Sequence, residues 1–227
     1  MKYQTLFLDA DETLLDFKRA EAQGLENALR RHQLPFNKKI LALYSGINKK
    51  CWEEFEQGLL DKETLLVERF RRLFAALDIT ADPYAVRLSY HEELGKGGFL
   101  IKHAYEVCEE LGKTHDLYIV TNGVAATQYS RFAISGLDKL VKGIFVSEEI
   151  GIPKPQKGYF DYVFAQIPDF QKERALMVGD SLTADIMGGI NAGLDTCWYN
   201  PGRKPAPAGI NITYEIHDIR ELPEIAG

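Results

Sequence analysis

From residue 96 onward the chain alternates between two textures. Short apolar, β-prone runs (DLYIVTNG, GIFVSEE, ALMVGDS and DTCWYN) are separated by stretches with helical periodicity: AATQYSRFAI, GYFDYVFAQI and TADIMGGINAG. The apolar runs are too short for helices, and most are joined by enough chain to form a helical crossover. That pattern predicts βαβ units and a parallel sheet. YQTLFLD near the N-terminus reads as one more buried strand. The fold class expected is therefore α/β, an open Rossmann-like core with a central parallel sheet.

Between the first strand and the alternating region the texture differs. RAEAQGLENALRRH has Ala22, Leu25 and Leu29 at helical spacing. Residues 37 to 93 lack strand signals and read as amphipathic helices: NKKILALYSGINKKCWEEFEQG, DKETLLVERFRRLFAAL and DPYAVRLSYHEEL. Asp61 and Asp82 stand at N-cap positions, and Pro83 at N1. GKGG at 95 to 98 ends the helical stretch. The expected organisation is a core of residues 1–15 and 96–227, interrupted by an all-helical insert of residues 16–95.

Composition excludes several function classes. A net charge of −6 argues against nucleic-acid or anionic-membrane binding, which needs a basic face. Cys51, Cys108 and Cys197 are odd in number and form no CxxC pair, so neither a disulfide framework nor a structural zinc site is expected. The first residues, MKYQTLFLDADETL, turn acidic too soon for a signal peptide. No run approaches the ~20 apolar residues of a membrane helix. These features predict a cytoplasmic protein acting on a small molecule; the five scattered histidines receive no role.

Ligands of open α/β sheets bind at the carboxyl ends of the strands. Here those ends are polar. The first delivers Asp9-Ala10-Asp11-Glu12-Thr13, and the second Thr121-Asn122-Gly123. Past the third lies Lys154, between two prolines, and the fourth ends in Gly179-Asp180-Ser181, with Asp185 a turn further on. Converging carboxylates repel unless a cation lies between them. Oxygen ligands in a wet pocket suit Mg²⁺, which takes one or two carboxylates, waters and a substrate phosphate. Mg²⁺ and Lys154 together would neutralise a phosphate dianion, with backbone N–H groups near Asn122 and Gly123 as further donors. One carboxylate can then attack phosphorus and the other can serve as acid and base to the same group.

DADET resembles the DxDxT signature of the haloacid dehalogenase-like hydrolases. TNG resembles their second motif, KP their third and GDSLTAD their fourth, in family order. The resemblance implies Asp9 as nucleophile and metal ligand, and Asp11 as acid/base with its backbone carbonyl on the metal. It implies Thr121 as phosphate ligand, Lys154 as the bridge between nucleophile and phosphate, and Asp180 as metal ligand. Asp185 would bind the metal directly or through water, or anchor its neighbours, and Thr13 would fix the first turn. The dehalogenases of this superfamily lack the second Asp, so Asp11 favours phosphoryl transfer. Glu12, Glu148 and Glu149 read as surface or supporting charges. GGINAG follows a helix rather than opening one, so it is not a dinucleotide-binding loop.

The helical insert resembles the first cap type of this superfamily. DADETLLDF, INKKCWEEFEQG, SEEIGIPKP and LMVGDSLTADIMGGINAGLDTCWYN resemble the bacterial pyrimidine 5′-nucleotidases. On that resemblance Phe17, Asn48, Lys49 and Trp52 would contact the nucleoside, though the two aromatics also fit simple packing. One departure is GKGGFLIK, where members often carry Pro-Gly. Other readings stay open: a phosphatase for sugar phosphates or phosphoglycolate, a phosphosugar mutase, and a binding protein that has lost turnover. Preferred base and oligomeric state are not legible.

Overall fold

The computed structural model describes residues 2–227. Six strands form one parallel sheet: β1 (Thr5–Leu8), β2 (Asp116–Thr121), β3 (Gly143–Val146), β4 (Ala175–Gly179), β5 (Asp195–Tyr199) and β6 (Tyr214–Ile216). Their order is β3-β2-β1-β4-β5-β6. Leu8 of β1 stands level with Ile119 of β2 and Val178 of β4. The chain first winds outward from β1 through β2 to β3. It then returns to the other side of β1 and continues through β4 to β6. The carboxyl ends of β1, β2 and β4 thus surround a switch in winding direction.

The helices are α1 (Phe17–Arg31), α2 (Lys38–Glu56), α3 (Lys62–Leu77), α4 (Pro83–Gly95), α5 (Ala104–Leu111), α6 (Ala125–Ser135), α7 (Ser147–Ile150), α8 (Lys157–Ala165), α9 (Met187–Ala192) and α10 (Leu222–Ala226). The chain divides into two compact units. The α/β unit takes the residues up to Asp16 together with Gly98–Gly227, and the helical unit is Phe17–Gly97. These bounds lie one and two residues beyond the expected 16–95.

In the α/β unit, period-two alternation sends successive strand residues to opposite faces. Leu6, Leu8, Ile119, Leu176, Val178 and Cys197 pack with Val107, Cys108 and Leu111 of α5 and with Phe132 of α6. Phe7, Val120 and Met177 point the other way, onto Tyr159, Phe160 and Val163 of α8. With both faces covered, the strands must be apolar throughout, which is why they read as continuous hydrophobic runs.

The helical unit owes its boundaries to local chemistry. Asn37 Oδ1 accepts from the backbone of Lys39 and Ile40 at the start of α2. Asp61 caps α3 through Thr64, and Asp82 caps α4 through Tyr84, with Pro83 in the first turn. Tyr44, Phe70 and Tyr90 form its aromatic centre, with ring centroids 5.2 to 5.5 Å apart.

Two expectations need correction. The run GIFVSEE is strand only as far as Val146; Ser147 begins α7, whose first turn carries Glu148 and Glu149. The edge strand β6 was not expected, because three residues carry too little periodicity to register. Among the described residues, no helix is long and apolar enough to cross a membrane.

Candidate active site

The end of β1 fixes the first carboxylate. Asp9 N–H donates to Val178 O at 2.9 Å, which extends the sheet pairing by one residue and aims the Asp9 side chain off the strand end. The chain then turns sharply. Leu14 and Leu15 N–H both donate to Ala10 O, and Glu12 adopts a left-handed backbone with φ 61°. Thr13 lies buried under this turn. Its hydroxyl accepts from Asp180 N at 3.1 Å and donates to Asp9 Oδ2 at 3.4 Å. Trp198 Nε1 donates to Asp180 O at 3.0 Å, so the Asp180 backbone is held from both sides.

Lys154 is the electrostatic centre. It is buried, and its Nζ donates to Asp9 Oδ1 at 2.7 Å, Asp185 Oδ1 at 2.6 Å and Val120 O at 2.7 Å. All three ammonium protons thus have acceptors. Burial alone would lower its pKa, but Asp185 and Asp9 hold it above the ordinary lysine value. Its backbone is tied to Asn122, whose amide donates to Lys154 O and accepts from Lys154 N, both at 2.9 Å. The Asn122 side chain is therefore engaged in placing Lys154.

Asp185 reaches its place through a π-helical turn, Leu182–Ile186, capped by Ser181. Asp185 Oδ2 accepts from Ser181 N at 3.0 Å. Gly179 makes the approach possible: a Cβ there would lie 2.2 Å from Asp185 Oδ2. Oxygens of Asp9, Asp180 and Asp185 lie within 4.8 Å of one another. This crowding has its electrostatic cost. Burial, then the Asp185 carboxylate, pushes the Asp9 carboxyl up to about 7, against the pull of Lys154. Burial together with Asp9, Asp185 and Glu12 lifts Asp180 well above the usual carboxylate range. Carboxylates held together in this way could hold a hard cation.

Thr121 ends β2 with a hydroxyl that accepts from Gly123 N at 3.1 Å and Gln128 Nε2 at 2.9 Å. With both lone pairs occupied, the hydroxyl is oriented as a donor. Asp11 is placed differently from the other carboxylates. Its side chain meets α6, accepting from Gln128 Nε2 at 2.9 Å and from Arg131. Gln128 and Arg131, both buried, were not singled out from the sequence. Their spacing on the helix after TNG was visible, but nothing marked their partner. Phe17, Asn48, Lys49 and Trp52 belong to the helical unit. Asn48 is buried between Glu21 and Arg69, Lys49 is exposed beside Glu53, and Trp52 stands edge-on to Phe55. Phe17 opens α1.

Comparison with known proteins gives the family. Residues 3–193 match the haloacid dehalogenase-like hydrolase family. The chain is 44% identical to the HAD-hydrolase YfnB of Bacillus subtilis, over 99% of this chain and 95% of that one. It is 36% identical to the pyrimidine 5′-nucleotidase PynA of Streptococcus pneumoniae, over 98% and 94% of the two chains. It is 31% identical to the pyrimidine 5′-nucleotidase YjjG of Escherichia coli, over 99% and 98%. The crystal structure of YfnB bound to magnesium superposes with a TM-score of 0.96 over the whole of both chains. The protein belongs to the haloacid dehalogenase-like hydrolases.

Proposed function

We propose that the protein is a Mg²⁺-dependent phosphatase that works through an aspartyl-phosphate on Asp9, and that its substrates are pyrimidine nucleoside 5′-monophosphates. The observation that carries the reaction is Asp9, Asp11, Thr121 and Asp180 at the ends of β1, β2 and β4, with Lys154, from the loop between α7 and α8, bonded to Asp9. What favours nucleotides is identity above 30%, over nearly the full chain, to two proteins named pyrimidine 5′-nucleotidases.

The carboxylates of Asp9, Asp180 and Asp185 fit Mg²⁺, with the Asp11 carbonyl as a further ligand. Mg²⁺ bound there would offset the charge of the carboxylates and of the phosphoryl group. When ionised, Asp9, Asp11, Asp180 and Asp185 outnumber Lys154 and Arg131, so a phosphate dianion needs that additional cation.

In the proposed reaction an Asp9 carboxylate oxygen attacks phosphorus. The bond from phosphorus to the ester oxygen breaks, and the Asp11 proton goes to the leaving oxygen. Lys154 steadies Asp9 and the phosphoryl oxygens, with Thr121 and the Asn122 main chain as donors. Asp11, now a carboxylate, takes a proton from water as the water oxygen attacks the aspartyl-phosphate. Inorganic phosphate leaves, and Asp9 and Asp11 return to their starting states. The helical unit acts in this reading as a cap that reads the leaving group, with Trp52, Lys49, Asn48 and Phe17 as its selecting residues.

The test is phosphate release with Mg²⁺ from uridine, thymidine, cytidine, adenosine and guanosine monophosphates, phosphoglycolate and sugar phosphates. Pyrimidine nucleotides are expected to lead. Asp9→Asn is expected to lower the rate by at least about 10³-fold. Preference for a small sugar phosphate would keep the chemistry and overturn the substrate assignment, and conversion without phosphate release would indicate a mutase.

A further inference from the structure

Asp11 is held by two residues that the reaction scheme leaves without a role. Gln128 and Arg131 stand three apart on α6, and both are 1% exposed. Arg131 Nη1 donates to Asp11 Oδ1, and Gln128 Nε2 donates to Asp11 Oδ2 at 2.9 Å. The same Gln128 nitrogen donates to Thr121 Oγ1 at 2.9 Å, and Gln128 Oε1 accepts from Arg131 Nη1 at 3.1 Å. The amide orientation is thereby fixed: its NH₂ must face the carboxylate, and its oxygen the guanidinium. The approach is close enough that a Cβ on Gly123 would lie 2.6 Å from Gln128 Nε2. Burying a guanidinium is costly unless it is paired, and here an acid/base carboxylate is one of its partners.

We propose that Gln128 and Arg131 are positioning residues for the general acid, fixing the Asp11 carboxyl relative to the Thr121 hydroxyl and so relative to the phosphoryl group. This inference rests on the phosphatase reading above. One amide spans the acid/base group and a phosphate ligand, so the proton donor and the bound phosphate share a frame. A carboxyl free to rotate would spend less time within hydrogen-bond reach of the leaving oxygen.

The consequence depends on the leaving group. A nucleoside alkoxide needs the Asp11 proton to depart, whereas a p-nitrophenolate does not. The two cases are separated by kcat/KM, which reports the first phosphoryl transfer. For Arg131→Met, kcat/KM with uridine monophosphate is expected to fall about 50-fold, a part of the 10²–10⁴-fold that general acid catalysis supplies, because the carboxyl is misplaced rather than removed. With p-nitrophenyl phosphate it is expected to fall less than about threefold. Because the same carboxyl later serves as base, the variant should also show a stoichiometric burst of p-nitrophenolate. Arg131→Lys, which keeps a cation, should recover part of the loss with the nucleotide.

Equal falls for both substrates would mean that Arg131 only supports the fold, and would overturn the proposal, as would no change with either. If Arg131→Met does not fold by circular dichroism, the same ratio is read from Arg131→Lys and Gln128→Leu. Gln128→Leu is expected to raise KM as well, through Thr121. A wild-type protein that releases phosphate from neither substrate would instead remove the phosphatase reading itself.

Discussion

Both units bury charge, and they do it in opposite ways. In the helical unit the polar groups form a chain of complementary partners. Ser45 and Asn48 donate to Glu21 at 2.5 and 2.8 Å, and Asn48 Oδ1 accepts from Arg69 at 2.9 Å. Arg69 Nη2 then meets His91 Nε2 at 2.5 Å, and its guanidinium lies 5.0 Å from the Tyr90 ring centre. The anion and the cation are separated by a neutral amide that serves both. In the α/β unit three carboxylates crowd one another, with Lys154 as the shared cation of two of them. The first arrangement gives each buried charge a complementary partner. The second leaves like charges together, a cost retained where a ligand relieves it.

The contrast can be broken by adding the ligand. The Asp9 pKa is raised from an ordinary 3.8 to about 7, so between those values the unfolded chain is ionised while the folded site keeps its proton. The stability this contributes is complete below pH 3.8 and is lost as pH rises through 7. Mg²⁺ is expected to compensate above pH 7, where it no longer competes with that proton. At a concentration near 100 times its Kd, Mg²⁺ should raise Tm by about 5–10 °C at pH 8, and by less at pH 5.5. Calorimetry with Mg²⁺ and with EDTA checks this. An equal shift at both pH values would show that the metal does not bind the proton-holding carboxylates.

A smaller effect is expected from opening the helical chain. Asn48→Leu leaves Glu21 and Arg69 without their shared amide and should destabilise the unit by about 2–3 kcal/mol in urea unfolding. Trp52→Ala, at the surface edge of the same helix, should cost less stability. If Trp52→Ala alters substrate preference while Asn48→Leu alters only stability, Asn48 is removed from the selecting set.

The same chain of contacts predicts acid sensitivity from His91. Burial first, then Arg69, Arg87 and Lys62, lowers its pKa from 6.5 to about 2. The folded state resists the proton that the unfolded chain accepts, so stability is lost as pH falls below 6.5 toward 2. His91→Gln, which keeps an acceptor for Arg69, should flatten the fall in Tm between pH 6.5 and 4. An unchanged slope would mean that His91 does not report on this chain of contacts.

Much of this was legible in advance because it is local. Asp61 and Asp82 cap helices with their own side chains, so the caps stand beside what they cap. Each of the main strands ends where apolar residues stop, which makes Asp9, Thr121 and Asp180 legible in the sequence. The short α7 was read as strand because Ser147 and the glutamates follow Val146 without a break in the pattern. Lys154, between two prolines, reads as the cation of the site, but its burial depends on Asp9, Asp185 and Val120, none near it in sequence.

The sequence alone determined the order of elements, the parallel sheet, the helical stretch after the first strand and the carboxylates that stand at the strand ends, because periodicity, caps and strand ends act over a few residues. Only the tertiary structure decided which groups share a charge and which share a hydrogen bond. Arg131 and Asp11 lie 120 residues apart in the chain, and Lys154 and Asp9 lie 145 apart. Electrostatics and hydrogen bonding fall off over a few ångströms, so the Asp9 pKa, the burial of Lys154 and the hold of Gln128 and Arg131 on Asp11 exist only once the strands have brought those residues together.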